Sequence, residues 1–215
     1  MIIAIDGPAG AGKGTITKKV AEKLNLVYID TGAMYRCVAL YSLRNDIVDN
    51  ADKIVENLKN IRIKFDENGK TFLNDEDVSS EIRSIEVTNV VSKVSTIVRV
   101  REEMVKQQRE MAKGLNVIME GRDITTVVFP DADFKFYLDA TVEERTRRRV
   151  KQNEENGIDS NYEEIKQSII DRDYNDMHKE VGALKRTDEQ IYIDSTNMSI
   201  EEVVDFIIEK IGEVK

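Results

Sequence analysis

The sequence predicts an α/β fold in which a roughly five-stranded parallel sheet is flanked by helices. Short apolar runs bounded by turn residues are typical of strands in such a sheet. They lie at Ile2–Asp6, Leu26–Ile29, Val117–Glu120, Phe134–Asp139 and Ile191–Asp194. Segments between these runs have the helical spacing of apolar residues, and the resulting alternation of strand and helix favours a doubly wound parallel sheet.

Three segments have apolar residues three or four positions apart and are predicted helices. The first face contains Ile16, Val20 and Leu24, the second Met104, Val105 and Met111, and the last Val203, Phe206, Ile207 and Ile211. Gly114 follows the second segment, where glycine commonly ends a helix, so we expect that helix to stop there.

The alternation breaks within about residues 45–85. Ile61–Phe65 and Thr71–Leu73 alternate like strands and flank Glu67-Asn68-Gly69. Asn-Gly favours the tight turn of a β-hairpin. The sequence therefore predicts a small antiparallel insertion in the parallel fold.

Composition limits the classes of function. The chain has 215 residues, of which 40% are apolar and 34% charged, with a net charge of −9. That length suits one α/β domain with an insertion, and the acidic charge argues against binding nucleic acid. A single cysteine, Cys37, excludes an intrachain disulfide and fits the cytoplasm. We expect no membrane span, because no apolar run approaches about 18 residues.

The strongest motif directly follows the first predicted strand. It reads Gly7-Pro8-Ala9-Gly10-Ala11-Gly12-Lys13-Gly14-Thr15. Glycines let backbone amides turn towards phosphate, the following helix adds partial positive charge, and Lys13 can reach the β- and γ-phosphates of a nucleotide. The motif predicts a P-loop for ATP. Gly14 stands where a P-loop usually has Ser or Thr, and we favour the Thr15 hydroxyl as the group that supports Mg²⁺. The alternative is a glycine-rich turn without a ligand.

Other P-loop classes have signatures that this chain lacks. A guanine-reading Asn-Lys-x-Asp segment is absent from the sequence, and so is the Ser-Gly-Gly signature of transport ATPases. Small-molecule and nucleotide kinases remain, together with nucleotide-binding modules that have no catalytic activity.

Two further polar clusters follow predicted strands. Asp30-Thr31-Gly32-Ala33-Met34-Tyr35-Arg36 comes after the second strand, and Glu120-Gly121-Arg122-Asp123 ends a later one. Ligands bind at the carboxyl edge of open α/β sheets, and arginine offers a planar fork to phosphate. The alternatives are a helix N-cap at Thr31 beside an ordinary surface arginine, and a surface salt bridge at Arg122 and Asp123.

Taken in order, these blocks strongly resemble bacterial cytidylate kinases over essentially the whole chain. The resemblance rests on the P-loop, on Asp30–Arg36, on Val98-Arg99-Val100-Arg101 and on Gly121-Arg122-Asp123-Ile124 with Thr126–Ala132. It continues through Leu138–Thr141, Glu143-Glu144-Arg145, Arg148-Arg149 and Ile193–Val203.

The resemblance implies an ATP:CMP (or dCMP) phosphotransferase that uses Mg²⁺. It implies one P-loop kinase domain over residues 1–215, with a nucleotide-monophosphate-binding subdomain at 31–95 and a lid at 145–180. We expect a monomer whose partners are ATP and CMP or dCMP. The alternatives are a UMP/CMP, AMP or small-metabolite kinase, and a nucleotide-binding regulatory module without turnover.

The resemblance also assigns roles to acceptor-side residues. Thr31 and Arg36 would contact the acceptor nucleotide, and Arg36 and Arg122 would hold its phosphate. The cytosine edge would be read by Ser92, Arg101 and Asp123. The sugar would be bound by Arg172 and Asp176. Lys179 falls where the family usually has an arginine near the phosphates.

The proposed base-reading set makes chemical sense. Cytosine has an N4 donor beside its N3 and O2 acceptors, so a carboxylate can accept from N4 while Arg and Ser donate to the ring. Uracil presents O4 to the same carboxylate and should be rejected.

The sequence departs from the family pattern in four places. Lys179 replaces an arginine, Glu120 a frequent aspartate and Thr125 a frequent glycine, and Gly182-Ala183-Leu184 stands where the family often has Ala-Pro-Leu.

An arginine-rich helix follows residue 141. Glu143 and Glu144 stand four residues before Arg147 and Arg148, a spacing that also suits a solvated face. In nucleotide kinases, lid arginines grip the transferred phosphoryl group. We expect Arg145 and Arg149, or Arg148, to do so, alongside Lys13 and Arg122.

Overall fold

The computed structural model describes residues 1–66, 69–155 and 157–213 of the chain. Its strands are β1 Ile2–Asp6, β2 Val27–Asp30, β3 Ile63–Phe65, β4 Thr71–Leu73, β5 Glu76–Asp77, β6 Val117–Gly121, β7 Phe134–Asp139 and β8 Ile191–Asp194. Its α-helices are α1 Lys13–Leu24, α2 Thr31–Arg44, α3 Ala51–Asn57, α4 Ile85–Ser95, α5 Val98–Ala112, α6 Val142–Glu155, α7 Tyr162–Met177 and α8 Ile200–Gly212. A π-helical segment covers Ile124–Val128.

The principal sheet has the strand order β2-β6-β1-β7-β8. Strand β1 pairs in parallel with β6 and with β7, and β7 pairs in parallel with β8. The predicted five-stranded parallel α/β fold is confirmed. The predicted ends of three strands are correct, while β2 begins and ends one residue later and β6 includes Gly121.

The chain divides into two compact units, residues 1–26 with 116–215, and residues 27–115. In the first unit, β1 lies between two neighbours, and its Ile3, Ala4 and Ile5 are fully buried. A parallel strand covered on both faces needs such a continuous apolar run, which is why the pattern is legible in the sequence. Asp6 ends this strand and is also fully buried.

Helix α8 in the first unit is specified locally. Ser199 caps it and accepts a hydrogen bond from the Glu202 amide, while the Glu202 side chain accepts from the Ser199 amide. This capping box satisfies two amides that lack partners within the helix. The apolar residues Val203, Val204, Ile207 and Ile211 are buried on one face, which confirms the predicted helix.

The second unit contains α2 to α5 and a three-stranded antiparallel sheet in the order β3-β4-β5. Ile63 pairs with Leu73 and Phe65 with Thr71, which confirms the predicted antiparallel insertion. Two residues of the predicted Glu67-Asn68-Gly69 turn, Glu67 and Asn68, lie outside the described residues.

Strand β5 was not predicted. It is two acidic residues long and pairs with β4 after Asn74 and Asp75, which both have positive φ angles of 50° and 70°. Asn and Asp tolerate this left-handed conformation better than other residues with a side chain. A two-residue polar strand carries no apolar alternation, so only its turn could have indicated it.

The subdomain expected at 31–95 falls within the second unit, and the lid expected at 145–180 covers most of α6 and α7. Both assignments stay predictions. Within the described ranges, no helix combines the length and apolar character needed to cross a membrane.

Candidate active site

The Gly7–Thr15 loop joins β1 to α1, the position that a P-loop requires. Gly10 and Gly12 have φ angles of 78° and 88°, in the left-handed region that glycine adopts without strain. Gly7 is needed for another reason, because a Cβ there would lie 2.0 Å from the Leu138 carbonyl oxygen. Close approach of β7 to the loop therefore admits only glycine at position 7.

The loop ends at the positive end of a helix dipole. Gly12 is the N-cap of α1, and glycine has no side chain with which to cap the helix amides. No acidic residue stands in the first turn of α1 either. Such a terminus favours an anion, so the loop and the helix together form a site suited to phosphate.

Lys13 is buried within this loop, where two backbone carbonyls hold its side chain. Its Nζ donates to the carbonyl oxygens of Gly7 and Pro8, both at 2.8 Å. Burial lowers the pKa of Lys13, and the positive charge of Arg122 lowers it further, while the Glu120 carboxylate acts in the opposite direction. The lysine of the P-loop and the predicted acceptor arginine therefore influence each other within the first unit.

Arg145 lies beneath the P-loop and is only 4% exposed. Its Nη1 donates to the Ala9 carbonyl at 2.9 Å and to the Asp173 carboxylate at 2.6 Å, and its Nε donates to the Ala140 carbonyl at 2.9 Å. Asp173 also accepts from the Ala9 amide at 3.3 Å. The solvated-face interpretation is thus wrong for Arg145, which connects α6 and α7 to the P-loop.

The other two candidate lid arginines differ from each other. Arg148 is half-buried and donates to the carbonyl and hydroxyl oxygens of Ser195, at 2.6 and 3.1 Å, and to the Ala11 carbonyl at 3.5 Å. Arg149 is exposed and donates to Gln152 one turn along α6. Of the two, the structure places Arg148 against the P-loop, and the predicted role of Arg149 is untested.

Three predicted acceptor residues of the first unit form one ionic cluster. Arg122 Nε and Lys179 Nζ each donate to the Asp176 carboxylate at 2.7 Å. Burial by itself would raise the pKa of Asp176, but Arg122 and Lys179 together hold it well below its usual range. The side chain of Arg122 is 20% exposed and that of Asp176 6%, so this is not a surface salt bridge.

Arg172 and Asp123 complete the predicted set in this unit. The positive charge of Arg172 contributes to lowering the pKa of Lys13, which places it in the same electrostatic environment. Asp123 is 4% exposed, and its carbonyl accepts from the amides of Val127 and Val128 in the π-helical segment. The side chain of Asp123 is therefore carried by a backbone that is fixed from its C-terminal side.

The remaining predicted acceptor residues lie in the second unit. Thr31 is buried as the first residue of α2, and the N-cap is Asp30, which accepts from the Ala33 amide at 2.9 Å. The alternative that Thr31 is the N-cap is therefore wrong. Arg36 Nη1 donates to the Thr88 hydroxyl at 3.0 Å and to the Ile82 carbonyl at 3.3 Å.

Arg101 and Ser92 belong to consecutive helices of the second unit. Arg101, in α5, is 4% exposed, and its guanidinium lies 5.6 Å from the ring centroid of Tyr35. Ser92 is half-buried in α4. Aromatic packing orients a planar guanidinium, which suits Arg101 for contacts with a planar ligand.

Sequence reasoning missed Asp6, Asp173 and Gln190 as residues that organise the site. Asp6 accepts from the Ile124 and Thr125 amides, both at 2.9 Å. For Asp6 the sequence did contain a signal, because an aspartate ends an otherwise apolar predicted strand. Asp173 lies beside the predicted Arg172, whereas nothing local distinguishes Gln190.

The donor set around the P-loop fits Mg²⁺ bound together with a nucleotide. Among the side chains that the structure describes, no group of three or more His, Cys, Asp or Glu residues could hold a metal ion alone. Mg²⁺ in phosphoryl-transfer sites takes most ligands from phosphate and water and few from protein. The exposed Thr15 hydroxyl, in the first turn of α1, can serve as such a ligand.

Comparison with known proteins gives consistent results along the chain. A family model described as cytidylate kinase matches residues 3–213. A protein from Fusobacterium nucleatum named cytidylate kinase is 47% identical, with 100% of this chain and 99% of the relative covered. A cytidylate kinase from Bacillus cereus is 48% identical, with 99% and 96% covered.

A solved structure also shares the fold. The crystal structure of an uncharacterized protein from Eubacterium ventriosum matches with a TM-score of 0.56 and 14% identity, covering 99% of this chain and 98% of the other. At that identity the likeness concerns the fold alone. The family model, by contrast, spans residues 3–213, and the two relatives are 47% and 48% identical over 99% or more of this chain. On these grounds the chain belongs to the cytidylate kinase family.

Proposed function

We propose that this protein transfers the γ-phosphoryl group of ATP to CMP or dCMP and so produces ADP and CDP or dCDP. The observation that carries the proposal is that the P-loop and Arg122 directly follow the neighbouring parallel strands β1 and β6, whose last residues Asp6 and Gly121 are paired. In agreement with this placement, the charge of Arg122 lowers the pKa of Lys13. A lysine for the donor phosphates and an arginine for the acceptor phosphate must share one site if a phosphoryl group is to pass between two nucleotides.

On the donor side, the backbone amides of Gly7–Thr15 and Lys13 would bind the ATP phosphates. The positive end of α1 supports this, because no acidic residue opposes an anion in its first turn. Thr15 would support Mg²⁺, which when bound neutralises charge on the β- and γ-phosphate oxygens. Lys13 now contacts Gly7 and Pro8 and would exchange those carbonyls for phosphate oxygens.

On the acceptor side, Arg36 and Arg122 would bind the phosphate of CMP. In this structure Arg36 donates through Nη1 to a hydroxyl oxygen and Arg122 donates through Nε to a carboxylate oxygen. An arginine can donate in the same directional way to a phosphate oxygen. Arg172 and Asp176 would bind the sugar. Lys179 already pairs with Asp176 and would act as a point charge near the phosphates.

The base would be read by Asp123, Arg101 and Ser92, with Thr31 contacting the same nucleotide. A buried carboxylate at Asp123 can accept from the N4 amino group of cytosine, and Arg101 and Ser92 can donate to its ring acceptors. The burial of Asp123 and Arg101, each 4% exposed, favours discrimination, because an unmatched polar group would be left without a partner away from water.

The chemical step needs little from the protein beyond position and charge. A monophosphate oxygen is a competent nucleophile without a general base. Lys13, Arg122 and arginines of α6 would stabilise negative charge on the transferred group. Arg145 was predicted to grip the phosphoryl group, but its guanidinium already binds Ala9 and Asp173. It would therefore hold the P-loop in place, while Arg148 or Arg149 would reach the phosphates. A lid formed by residues 145–180 would exclude water, which otherwise hydrolyses ATP.

An ADP-release assay tests the proposal directly. The full-length protein is incubated with Mg·ATP and, separately, CMP, dCMP, UMP, AMP or no acceptor. We expect ADP release with CMP and dCMP, little with UMP or AMP, and almost none without an acceptor. Equal turnover of UMP and CMP would favour the UMP/CMP-type alternative. Binding of ATP without turnover of any acceptor would favour a non-catalytic nucleotide-binding module.

A further inference from the structure

The Asp6 carboxylate accepts three hydrogen bonds from two consecutive residues of the π-helical segment. Its Oδ1 accepts from the Ile124 amide at 2.9 Å, and its Oδ2 accepts from the Thr125 amide at 2.9 Å and from the Thr125 hydroxyl at 2.6 Å. Asp6 itself is fully buried. A carboxylate at this position fixes the start of the segment because it satisfies amides that lack partners within the helix.

Gln190 extends this network to the loop before β8. Its Nε2 donates to the Thr125 hydroxyl oxygen and, at 3.3 Å, to the Lys185 carbonyl. Its Oε1 accepts from the Thr187 amide at 2.7 Å. The Thr125 hydroxyl thus donates to Asp6 and accepts from Gln190, so it acts as both hydrogen-bond donor and acceptor in the buried interior.

The network borders the residues proposed to bind the acceptor. Arg122 and Asp123 immediately precede Ile124, and Asp6 is paired across the sheet with Gly121. The Asp123 carbonyl also accepts from two amides later in the π-helical segment. The backbone of this short segment is therefore held by β6 before Arg122 and by Asp6 after Asp123, so the points from which both side chains extend depend on the network.

We propose that Asp6, Thr125 and Gln190 are positioning residues that hold Arg122 and Asp123 in place for the acceptor nucleotide. This inference rests on the proposed function, in which those two residues bind CMP. The Thr125 hydroxyl is the central element, because it is the atom that Asp6 and Gln190 share. Asp6 also immediately precedes Gly7, but its carboxylate bonds to Ile124 and Thr125, so the network acts on the acceptor segment.

The three donors require Asp6 to be ionised. Burial raises the pKa of Asp6 to about 6, the hydroxyl and amide of Thr125 and the amide of Ile124 act to lower it, and the neighbouring Asp123 carboxylate raises it. Tyr137 of β7, which pairs with Asp6 in the sheet, stays protonated because burial raises its pKa to about 12. Removal of the Thr125 hydroxyl should therefore raise the pKa of Asp6 above 6.

The test compares Thr125→Val, which replaces the hydroxyl with a methyl group, with the wild type and with Thr125→Ser. We expect Thr125→Val to raise KM for CMP about 10-fold, a change that a small displacement of binding groups can cause, with KM for ATP unchanged. The acid limb of kcat/KM for CMP should move up by about one pH unit, since the hydroxyl stabilises ionised Asp6. Thr125→Ser should restore both values.

Two controls separate positioning from other effects. The phosphate of CMP itself titrates near pH 6, but its contribution is the same for every variant and cancels in the ratio to wild type. Thr146→Val removes another fully buried threonine hydroxyl, which donates to the Val142 carbonyl within α6, and should change neither KM for CMP nor the acid limb.

The proposal is overturned if Thr125→Val matches Thr146→Val in both readouts, or if it raises KM for ATP and CMP equally without rescue by Thr125→Ser. Should Thr125→Val fail to fold, Gln190→Met removes the other partner of the hydroxyl. The Gln190→Met variant should raise KM for CMP with KM for ATP unchanged, and an unaltered KM for CMP would contradict the proposal. If the wild type does not phosphorylate CMP, the proposed function fails before any variant is compared.

Discussion

The ion pair between Arg145 and Asp173 offers the sharpest energetic test of how the P-loop is held. The two side chains are 5% and 11% exposed, and the distance between Arg145 Nη1 and Asp173 Oδ2 is 2.6 Å. We consider Asp173→Leu, Arg145→Met and the double variant. Each single change leaves one charge buried without its partner, whereas the double change removes both charges.

The contacts of the pair determine how much each substitution should lower the free energy of unfolding. Loss of one partner of a buried pair costs about 3–5 kcal/mol, so the two single changes would sum to about 6–10 kcal/mol. The double variant leaves three neutral groups unpaired, the Ala9 amide and carbonyl and the Ala140 carbonyl. At about 1 kcal/mol each, it should cost only about 3 kcal/mol. The coupling energy in the cycle should thus be at least about 3 kcal/mol.

Thermal unfolding of the four proteins measures this coupling. Each single variant should unfold about 6–20 °C below the wild type, since 1 kcal/mol corresponds to about 2–4 °C at this chain length. The unfolding temperature of the double variant should be higher than the sum of the two single shifts would give. Steady-state kinetics should show that kcat/KM for ATP falls about 10–100-fold in the double variant, because Ala9 has lost both partners that fix it.

An exposed ion pair supplies the control for this cycle. Lys23 and Asp205 lie 2.8 Å apart, with side chains 45% and 69% exposed, and solvent screens such pairs. Their cycle, with the same types of substitution, should show no measurable coupling. If the Arg145–Asp173 cycle shows no more coupling than this exposed pair, the buried ion pair does not stabilise the fold in the way that we infer. If kcat/KM for ATP is unchanged in the double variant, the Arg145–Asp173 ion pair has no role in holding the P-loop for ATP.

Three further predictions concern the loop and the base. Lys13→Ala should lower kcat about 1000-fold with the unfolding temperature little changed, and near-normal turnover would remove Lys13 from the mechanism. Asp123→Ala should reduce the preference for CMP over UMP about 10–100-fold in competition assays, and an unchanged ratio would refute its base-reading role. Gly7→Ala should destabilise the fold by about 3 kcal/mol in thermal unfolding, because its Cβ would meet the Leu138 carbonyl at 2.0 Å. Gly212→Ala, whose Cβ meets open space, is its control and should be neutral or stabilising.

Several of these residues could be found in the sequence because their role is local. The P-loop glycines and Lys13 occur between an apolar strand and an amphipathic helix, and that order alone indicates phosphate binding. The antiparallel insertion was predicted by alternation on both sides of an Asn-Gly pair, and β3 and β4 confirm it. Strand β5 was missed because two acidic residues give no periodic pattern.

The arginines of α6 illustrate what a local pattern leaves open. Arg145, Arg148 and Arg149 stand three and four residues apart, so a helix brings all three towards one side. Which of them is buried depends on the rotation of α6 against the P-loop and α7. Packing buries Arg145 against Ala9 and Asp173, leaves Arg148 half-buried beside Ser195 and exposes Arg149.

By itself, the sequence determined the alternating strands and helices, the phosphate-binding loop and the order of the acceptor blocks, because each depends on residues that are near neighbours along the chain. Only the tertiary structure decided that Asp6 binds Thr125, that Gln190 joins them and that Asp173 pairs with Arg145. The Asp6–Thr125 contact spans 119 positions of the chain. Such partners meet through the packing of a parallel sheet whose neighbouring strands are distant in sequence, and no local pattern of residues encodes that meeting.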